Sequence, residues 1–248
     1  MPTITSAHNA HLTELRKLSR RRRARELAGR FVAEGEDLLA AADAAGWPAL
    51  ERYCAAGSGL PGIKVEPAVL AQVSELGSGT RALAVYATRW AERPLGPLCI
   101  SLHGVSDPGN LGTILRSAVA FGAASVAIGA GSADPFGPRA VRASMGAVFE
   151  VPLARVQHIS ELPGATIALV ADGGEPLEAV TLEPSGSPAA PGRAGVTLMI
   201  GAEREGLPPE LVAAADRVAR IPIVTHSLNA AMAATVALYE VSRRMPRT

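Results

Sequence analysis

Short apolar runs alternate with stretches of helical period along most of this chain, and the two halves do so in different ways. Residues 8–27 read as one basic helix. An apolar strand at Phe31–Glu34, a helix over about Glu36–Ala45, and strands near Leu50–Cys54 and Arg81–Thr88 complete a small α/β unit. Arg89–Pro97 then loses its period and carries two prolines, as a linker does, which places a boundary near residue 94 and divides the chain into domains 1–93 and 94–248. Beyond it, Leu98–Leu102, Ser125–Ile128, Ile167–Val170, Val196–Ile200 and Val218–Ile223 suit buried strands separated by helices. That alternation predicts a mainly parallel sheet covered on both faces. Glu183–Gly195, rich in Pro, Gly, Ser and Ala, reads as a mobile surface loop.

Composition narrows the classes. With 248 residues, 48% of them hydrophobic and 19% charged, the chain is globular and long enough for two cores. Only 4% are aromatic, so packing rests on Ala, Val, Leu and Ile, while 25 Gly and 19 Pro supply sharp turns; an all-β sandwich or barrel does not fit. No run approaches the roughly 18 uncharged apolar residues of a membrane span, and Met1-Pro2-Thr3 opens no secretory leader. The expectation is a cytoplasmic protein with no membrane contact. Cys54 and Cys99 belong to no CxxC or His-spaced cluster, so inert thiols are expected, with neither a disulfide framework nor a metal site.

Charge changes the picture locally. Residues 1–30 carry eight basic side chains against Glu14 and Glu26, an excess of +6 concealed within an overall +1. Arg20-Arg21-Arg22-Arg23-Ala24-Arg25 is either a solvated helix face or a nucleic-acid contact, for which the planar guanidinium fork is well shaped.

Three segments carry candidate chemistry. Gly104–Arg116 follows a strand and opens a helix in which Leu111, Ile114, Leu115, Ala118 and Val119 form one apolar stripe, stopped by Gly122. Arg116 points roughly 130° away from that stripe, and Asn110 stands where the first turn needs a cap. In Leu198–Pro209 a buried strand runs into a turn bounded by Gly201 and Gly206, with Glu203 at the carboxyl edge where open α/β sheets bind ligands and Pro208 suited to start a helix. In Ile221–Met232 an Ile-Pro pair leads through His226, read as an ordinary loop histidine, to Ser227 or Asn229 as the cap of a last helix closed by Arg243, Arg244 and Pro246. Each alone is compatible with ordinary capping and turn formation. Gly129-Ala130-Gly131 is not a dinucleotide loop, because Asp134 stands where the third glycine belongs, and neither a Walker loop nor an HExxH motif occurs.

Together these segments resemble the SpoU/TrmH branch of the SPOUT RNA methyltransferases. Asn110, Gly112 and Arg116 match its Asn-x-Gly-x-x-x-x-Arg pattern. Gly201-Ala202-Glu203-Arg204-Glu205-Gly206 matches its Gly-x-Glu-x-x-Gly strand end, and Ile221-Pro222 with Ser227-Leu228-Asn229 matches its last motif. Pro138–Phe149 resembles the central stretch, with Arg139 where lysine is usual, and residues 4–35 resemble the RNA-recognition domain often fused ahead, itself similar to a ribosomal-protein fold. Only Ile223-Val224-Thr225-His226 separates the last two blocks, a shorter segment than is usual in the family.

The resemblance implies an α/β fold with a carboxyl-terminal trefoil knot, preceded by a small α/β RNA-binding domain. It implies S-adenosylmethionine held by Ile200, Gly201, Ala202, Gly206, Leu207, Ile221, Ile223, Ser227 and Leu228. It further implies methyl transfer to a ribose 2′-hydroxyl of RNA, ribosomal RNA by analogy of the front domain, with Asn110, Arg116, Glu203, Ser227 and Asn229 around the reaction. Arg116 is better suited to gripping a phosphate than to accepting a proton, since guanidinium stays protonated. RNA contacts are expected at Arg16, Lys17, Arg20, Arg21, Arg22, Arg23, Arg25, Arg139 and Arg142, and a homodimer is expected through the Ala-rich last helix. An inactive RNA-binding or ribosome-assembly relative of the same fold, and a base methylase, are the alternatives.

Overall fold

The structure, a computed structural model, describes residues 2–75, 79–182, 195–224 and 227–245. The segment read as a mobile loop, Pro246, and Thr225 and His226 lie outside the described residues, save Gly195.

The basic helix expected over 8–27 is two helices. Helix α1 (Ala10–Arg20) starts where the Asn9 side chain accepts the His11 N–H at 2.9 Å, and it buries Leu12, Leu15 and Leu18. The chain turns at Arg21, in extended conformation, into α2 (Arg22–Ala28), which Gly29 ends at φ +60°. Arg25 supplies a reason for the break: its Nη1 donates to the carbonyls of Leu18 at 2.7 Å and Ser19 at 3.2 Å, groups a helix end leaves without partners. The sheet that follows contains β1 (Arg30–Glu34), β2 (Glu51–Ala55), β3 (Ile63–Val65) and β4 (Ala82–Ala87) in the order β1-β4-β2-β3, with α3 (Glu36–Ala44) and α4 (Pro67–Ala71) between strands. Here β3 and α4, of three and five residues, are too short to show a period in the sequence.

Residues 98–220 supply a second sheet of seven strands in the order β7-β6-β5-β10-β8-β11-β9, every neighbouring pair parallel. The five expected strands are β5 (Leu98–Leu102), β6 (Ser125–Ile128), β8 (Ala165–Val170), β10 (Val196–Ile200) and β11 (Arg217–Arg220); β7 (Leu153–Arg155) and β9 (Glu175–Pro176) are short edge additions. The last predicted strand stops at Arg220 rather than Ile223. Pro222 has no N–H for a ladder, and Ile221 and Ile223 leave the sheet.

Both faces of this sheet are covered. Leu198 and Ile200 of β10 share a cluster with α5 (Pro108–Ala120), α6 (Pro138–Ser144) and α8 (Ala230–Arg244), while Met199, Cys99 and Ala168 join Leu207 and, through Leu211 and Val212, α7 (Pro209–Ala214) on the other side. The predicted stripe of α5 holds: Leu111, Ile114, Leu115 and Ala118 are fully buried, and Gly122 sits at φ +71° beyond the helix end. A Cβ on Gly112 would lie 2.5 Å from that of Ala143 and 2.6 Å from the Ala140 carbonyl, so glycine here lets α5 and α6 meet.

The two sheets meet across an aromatic cluster. Phe31, Trp47 and Tyr86 from the front unit surround Phe136 and Phe149 from the second, with ring centroids 4.9 Å apart for Phe31–Phe136 and 5.2 Å for both Trp47–Phe149 and Tyr86–Phe149. The Tyr86 hydroxyl is buried there without a partner among the described residues, and burial pushes its pKa up to about 12. Arg25 pairs with Asp134 at 2.7 Å, with side chains 7% and 13% exposed. Arg25 was expected to contact RNA; it is instead a buried brace between the units, and its guanidinium is already occupied.

Removing one member of a buried pair strands the other, so Arg25→Ala should cost about 3 kcal/mol of unfolding free energy. Removing the exposed Arg22–Glu26 pair should cost about 0.5 kcal/mol or less. Urea denaturation of the two variants checks the contrast.

Candidate active site

The carboxyl ends of β10 and β8 open into a crevice of about 360 Å³, within the size range of small-molecule sites. Every residue expected to hold a cofactor lines it: Ile200, Gly201, Ala202, Gly206, Leu207, Ile221, Ile223, Ser227 and Leu228. Leu169, Val170 and Ala171, at the end of β8, complete one wall and were not anticipated. Their strand was visible in the sequence, but nothing there indicated that β8 lies beside β10.

Backbone geometry shapes the loop after β10. The Ala202 N–H donates to the Gly206 carbonyl at 3.1 Å and the Gly206 N–H returns to Ala202 at 3.0 Å, while Gly206 takes φ +69°. A Cβ on Gly201 would come within 2.1 Å of the Gly206 carbonyl carbon. No other residue fits this closure.

Side chains from the three distant segments join beside the crevice. Asn110 Nδ2 donates to Glu203 Oε1 at 2.7 Å, and Asn229 Nδ2 donates to Asn110 Oδ1 at 3.0 Å. Asn229 Oδ1 in turn accepts the Ala231 and Met232 N–H groups at 2.9 and 3.3 Å, which makes it the cap of α8. Asn110 was read as the cap of α5. That role belongs to Asp107, whose carboxylate accepts the Asn110 N–H at 2.7 Å, and the Asn110 amide is thereby free for the other two segments. Ser227 is exposed on the crevice. Pro208 is the cap of α7 and Pro209 its first residue, one later than expected.

Arg116 leaves α5 on its exposed face, has no hydrogen bond or ion pair to a described residue, and does not line the crevice. Among the other expected RNA contacts, Lys17, Arg20, Arg21, Arg22, Arg23 and Arg139 are exposed. Arg16 is half-buried and donates to the Ala7 carbonyl, and Arg142 lies 3.9 Å from Glu34 of the front unit. Both cysteines are buried and free of disulfides, and burial pushes the Cys99 thiol up, so Cys99 offers no ready thiolate. Among the described residues, no cluster of three or more His, Cys, Asp or Glu is placed to hold a metal, and no helix is long and apolar enough to cross a membrane.

A doubly covered parallel sheet with a glycine-walled crevice at its carboxyl edge defines an α/β domain built to hold a small molecule. The chain belongs to the SpoU rRNA methylase family, whose model matches residues 97–239. It is 36% identical over 151 residues to a Mycobacterium tuberculosis protein named as an uncharacterized tRNA/rRNA methyltransferase, covering 57% of this chain and 50% of that one, so the chain spans about half the length of the curated relatives it matches. Along almost its whole length it is similar to the crystal structure of an AdoMet-bound rRNA methyltransferase from Sinorhizobium meliloti (TM-score 0.83, 27% identity, 99% of each chain covered). It is also similar to that of an RNA 2′-O ribose methyltransferase (TM-score 0.77, 27% identity, 98% and 99% covered).

If Asn110 ties the segments together, a double-mutant cycle of Asn110→Ala and Asn229→Ala should give a coupling energy of about 1 kcal/mol in unfolding free energy. Additive losses would mean that the two amides act separately.

Proposed function

We propose that the chain transfers a methyl group from S-adenosylmethionine to a ribose 2′-hydroxyl of RNA, ribosomal RNA being the substrate class. The observation that carries this reading is the convergence of Asn110, Glu203 and Asn229 beside a crevice lined by the segments that resemble the cofactor-binding motifs. Membership of the SpoU rRNA methylase family and likeness to an AdoMet-bound rRNA methyltransferase support it. The RNA 2′-O ribose methyltransferase among the similar structures favours the sugar over the base.

The residues fit the donor. Ile200, Leu207, Ile221, Ile223 and Leu228 offer apolar walls for an adenine ring, and the closed loop from Gly201 to Gly206 brings backbone to the ligand without side chains in the way. Of the charged residues lining the crevice, Glu203 and Glu205 outnumber Arg204, which suits a ligand whose sulfonium and ammonium outweigh its carboxylate. When bound, S-adenosylmethionine supplies a methyl group already activated by positive sulfur. The protein's task is then alignment. Asn110 and Asn229 fix the Glu203 carboxylate at the rim. Arg116, without a partner among the described residues, grips the phosphate next to the reacting ribose, and its positive charge eases loss of the hydroxyl proton to solvent as the oxygen–methyl bond forms and the sulfur–methyl bond breaks.

Residues 1–93 act as the RNA-recognition domain and 94–248 as the catalytic one, with the last segment threaded as a trefoil knot and the protein working in the cytoplasm. Two chains associate through α8, where Met232, Val236 and Tyr239 stand exposed at 58%, 42% and 52% with the spacing of one helix face.

Incubating the chain with methyl-labelled S-adenosylmethionine and total RNA, then digesting the RNA, should place the label on a ribose 2′-oxygen. Label on a base ring would overturn the ribose assignment, and absence of label would overturn the enzymatic one. Arg116→Ala should reduce transfer at least 100-fold while calorimetry finds donor affinity unchanged within about twofold.

A further inference from the structure

A second cleft lies on the edge of the sheet that bears the crevice. A cleft of about 140 Å³ opens at the junction of the two units, with Thr88, Trp90, Phe136 and Arg155 among its walls. The Arg155 guanidinium lies over the Trp90 indole, 4.4 Å from the ring centroid, and Phe136 meets the same indole edge-on at 5.2 Å and 89°. Arg155 is exposed, and its donors make no hydrogen bond or ion pair with a described residue. The guanidinium is therefore held against the indole face while its N–H groups stay open.

The position relative to the crevice follows from strand register. Arg155 ends β7, and one row of paired residues runs Arg155–Ile128–Leu102–Ile200 across four parallel strands, ending on a residue of the crevice wall. Three strand spacings amount to about 14 Å, a distance that a few nucleotides span. The loops that follow β5, β6 and β10 touch between the two ends: the Gly104 N–H donates to the Ala130 carbonyl at 2.9 Å, and a Cβ on Gly104 would stand 3.2 Å from that of Ala202. At the far end of this path Arg22, Arg25 and Arg155 stand among Glu26 and Asp134, which pair with Arg22 and Arg25 and leave Arg155 open. Arg22 reaches the Ser132 carbonyl at 3.4 Å, and the Glu26 carboxyl is held below its usual range by its hydrogen bond from Arg22, with the charges of Arg22, Arg155 and Arg25 adding to the effect.

We propose that the Trp90–Arg155 platform is a second RNA-contact site, which grips a nucleotide flanking the one modified, by stacking and by hydrogen bonds from Arg155 to phosphate or base edge. It rests on the proposed RNA methyl transfer. The ligand class follows from an aromatic–guanidinium surface with unspent donors, which suits a strand offering flat bases and anionic phosphates together.

The test uses the full chain, an rRNA fragment that the wild type methylates, and the variants Arg155→Ala and Arg155→Lys. Arg155→Ala should raise the Kd for the fluorescein-labelled fragment and the KM for RNA about tenfold, lower the salt slope of binding by about 0.7, and leave kcat, donor affinity and Tm unchanged. Arg155→Lys, which keeps the charge but loses the planar stack, should recover only part of the affinity. RNA affinity and salt slope unaltered in Arg155→Ala would overturn the site while leaving methyl transfer standing. So would Arg155-dependent binding of a poly-glutamate peptide with RNA binding intact. A wild-type chain that methylates no RNA would remove both.

Discussion

The Asn110 amide is the point on which this molecule's functional reading depends. One end donates to Glu203 and the other accepts from Asn229, so a single planar group in the first turn of α5 joins two segments that lie 93 and 119 residues away from it in the chain. Local structure places each partner for this contact. Glu203 sits on a loop whose closure depends on Gly201, and Asn229 is fixed because it caps α8. Asp107 contributes by taking over the helix cap, which leaves the neighbouring amide free to bridge. Helix capping, loop closure and the crevice rim are thus parts of one hydrogen-bonded arrangement.

A second constraint acts at the junction of the two sheets. A chain with few aromatic residues places five of them, Phe31, Trp47, Tyr86, Phe136 and Phe149, at this one interface and adds the buried Arg25–Asp134 pair. An interface this apolar holds the units in one orientation rather than letting them swing. For an enzyme of the proposed kind, that fixes the exposed arginines of α1 and α2 relative to the crevice, and the distance between recognition and chemistry becomes a property of the fold.

Much of this could be read from the residues, and the exceptions have two causes. The stripe of α5 and five of the seven strands in the larger sheet carry periodic signals that local physics imposes, the turn from Gly201 to Gly206 is marked by its glycines, and the other crevice residues were legible through the family resemblance. The first is a contact that lies outside the local hydrophobic pattern. The break at Arg21 answers to carbonyls that Arg25 satisfies, and Arg25 itself, one arginine among five in a basic run, is buried only because Asp134 waits on the other unit. Leu169, Val170 and Ala171 line the crevice because strand order puts β8 next to β10, and order in a parallel sheet leaves no local trace. The second is length: the short strands β3, β7 and β9 hold too few residues for an alternation to be seen.

The most direct test is a crystal structure of the chain at saturating S-adenosylmethionine. The donor should occupy the crevice between the Ile200–Leu207 loop and the segment from Ile221 to Leu228, with the Asn110–Glu203–Asn229 hydrogen bonds intact at its rim. A donor bound elsewhere on the molecule, or a crevice left empty under those conditions, would contradict the account.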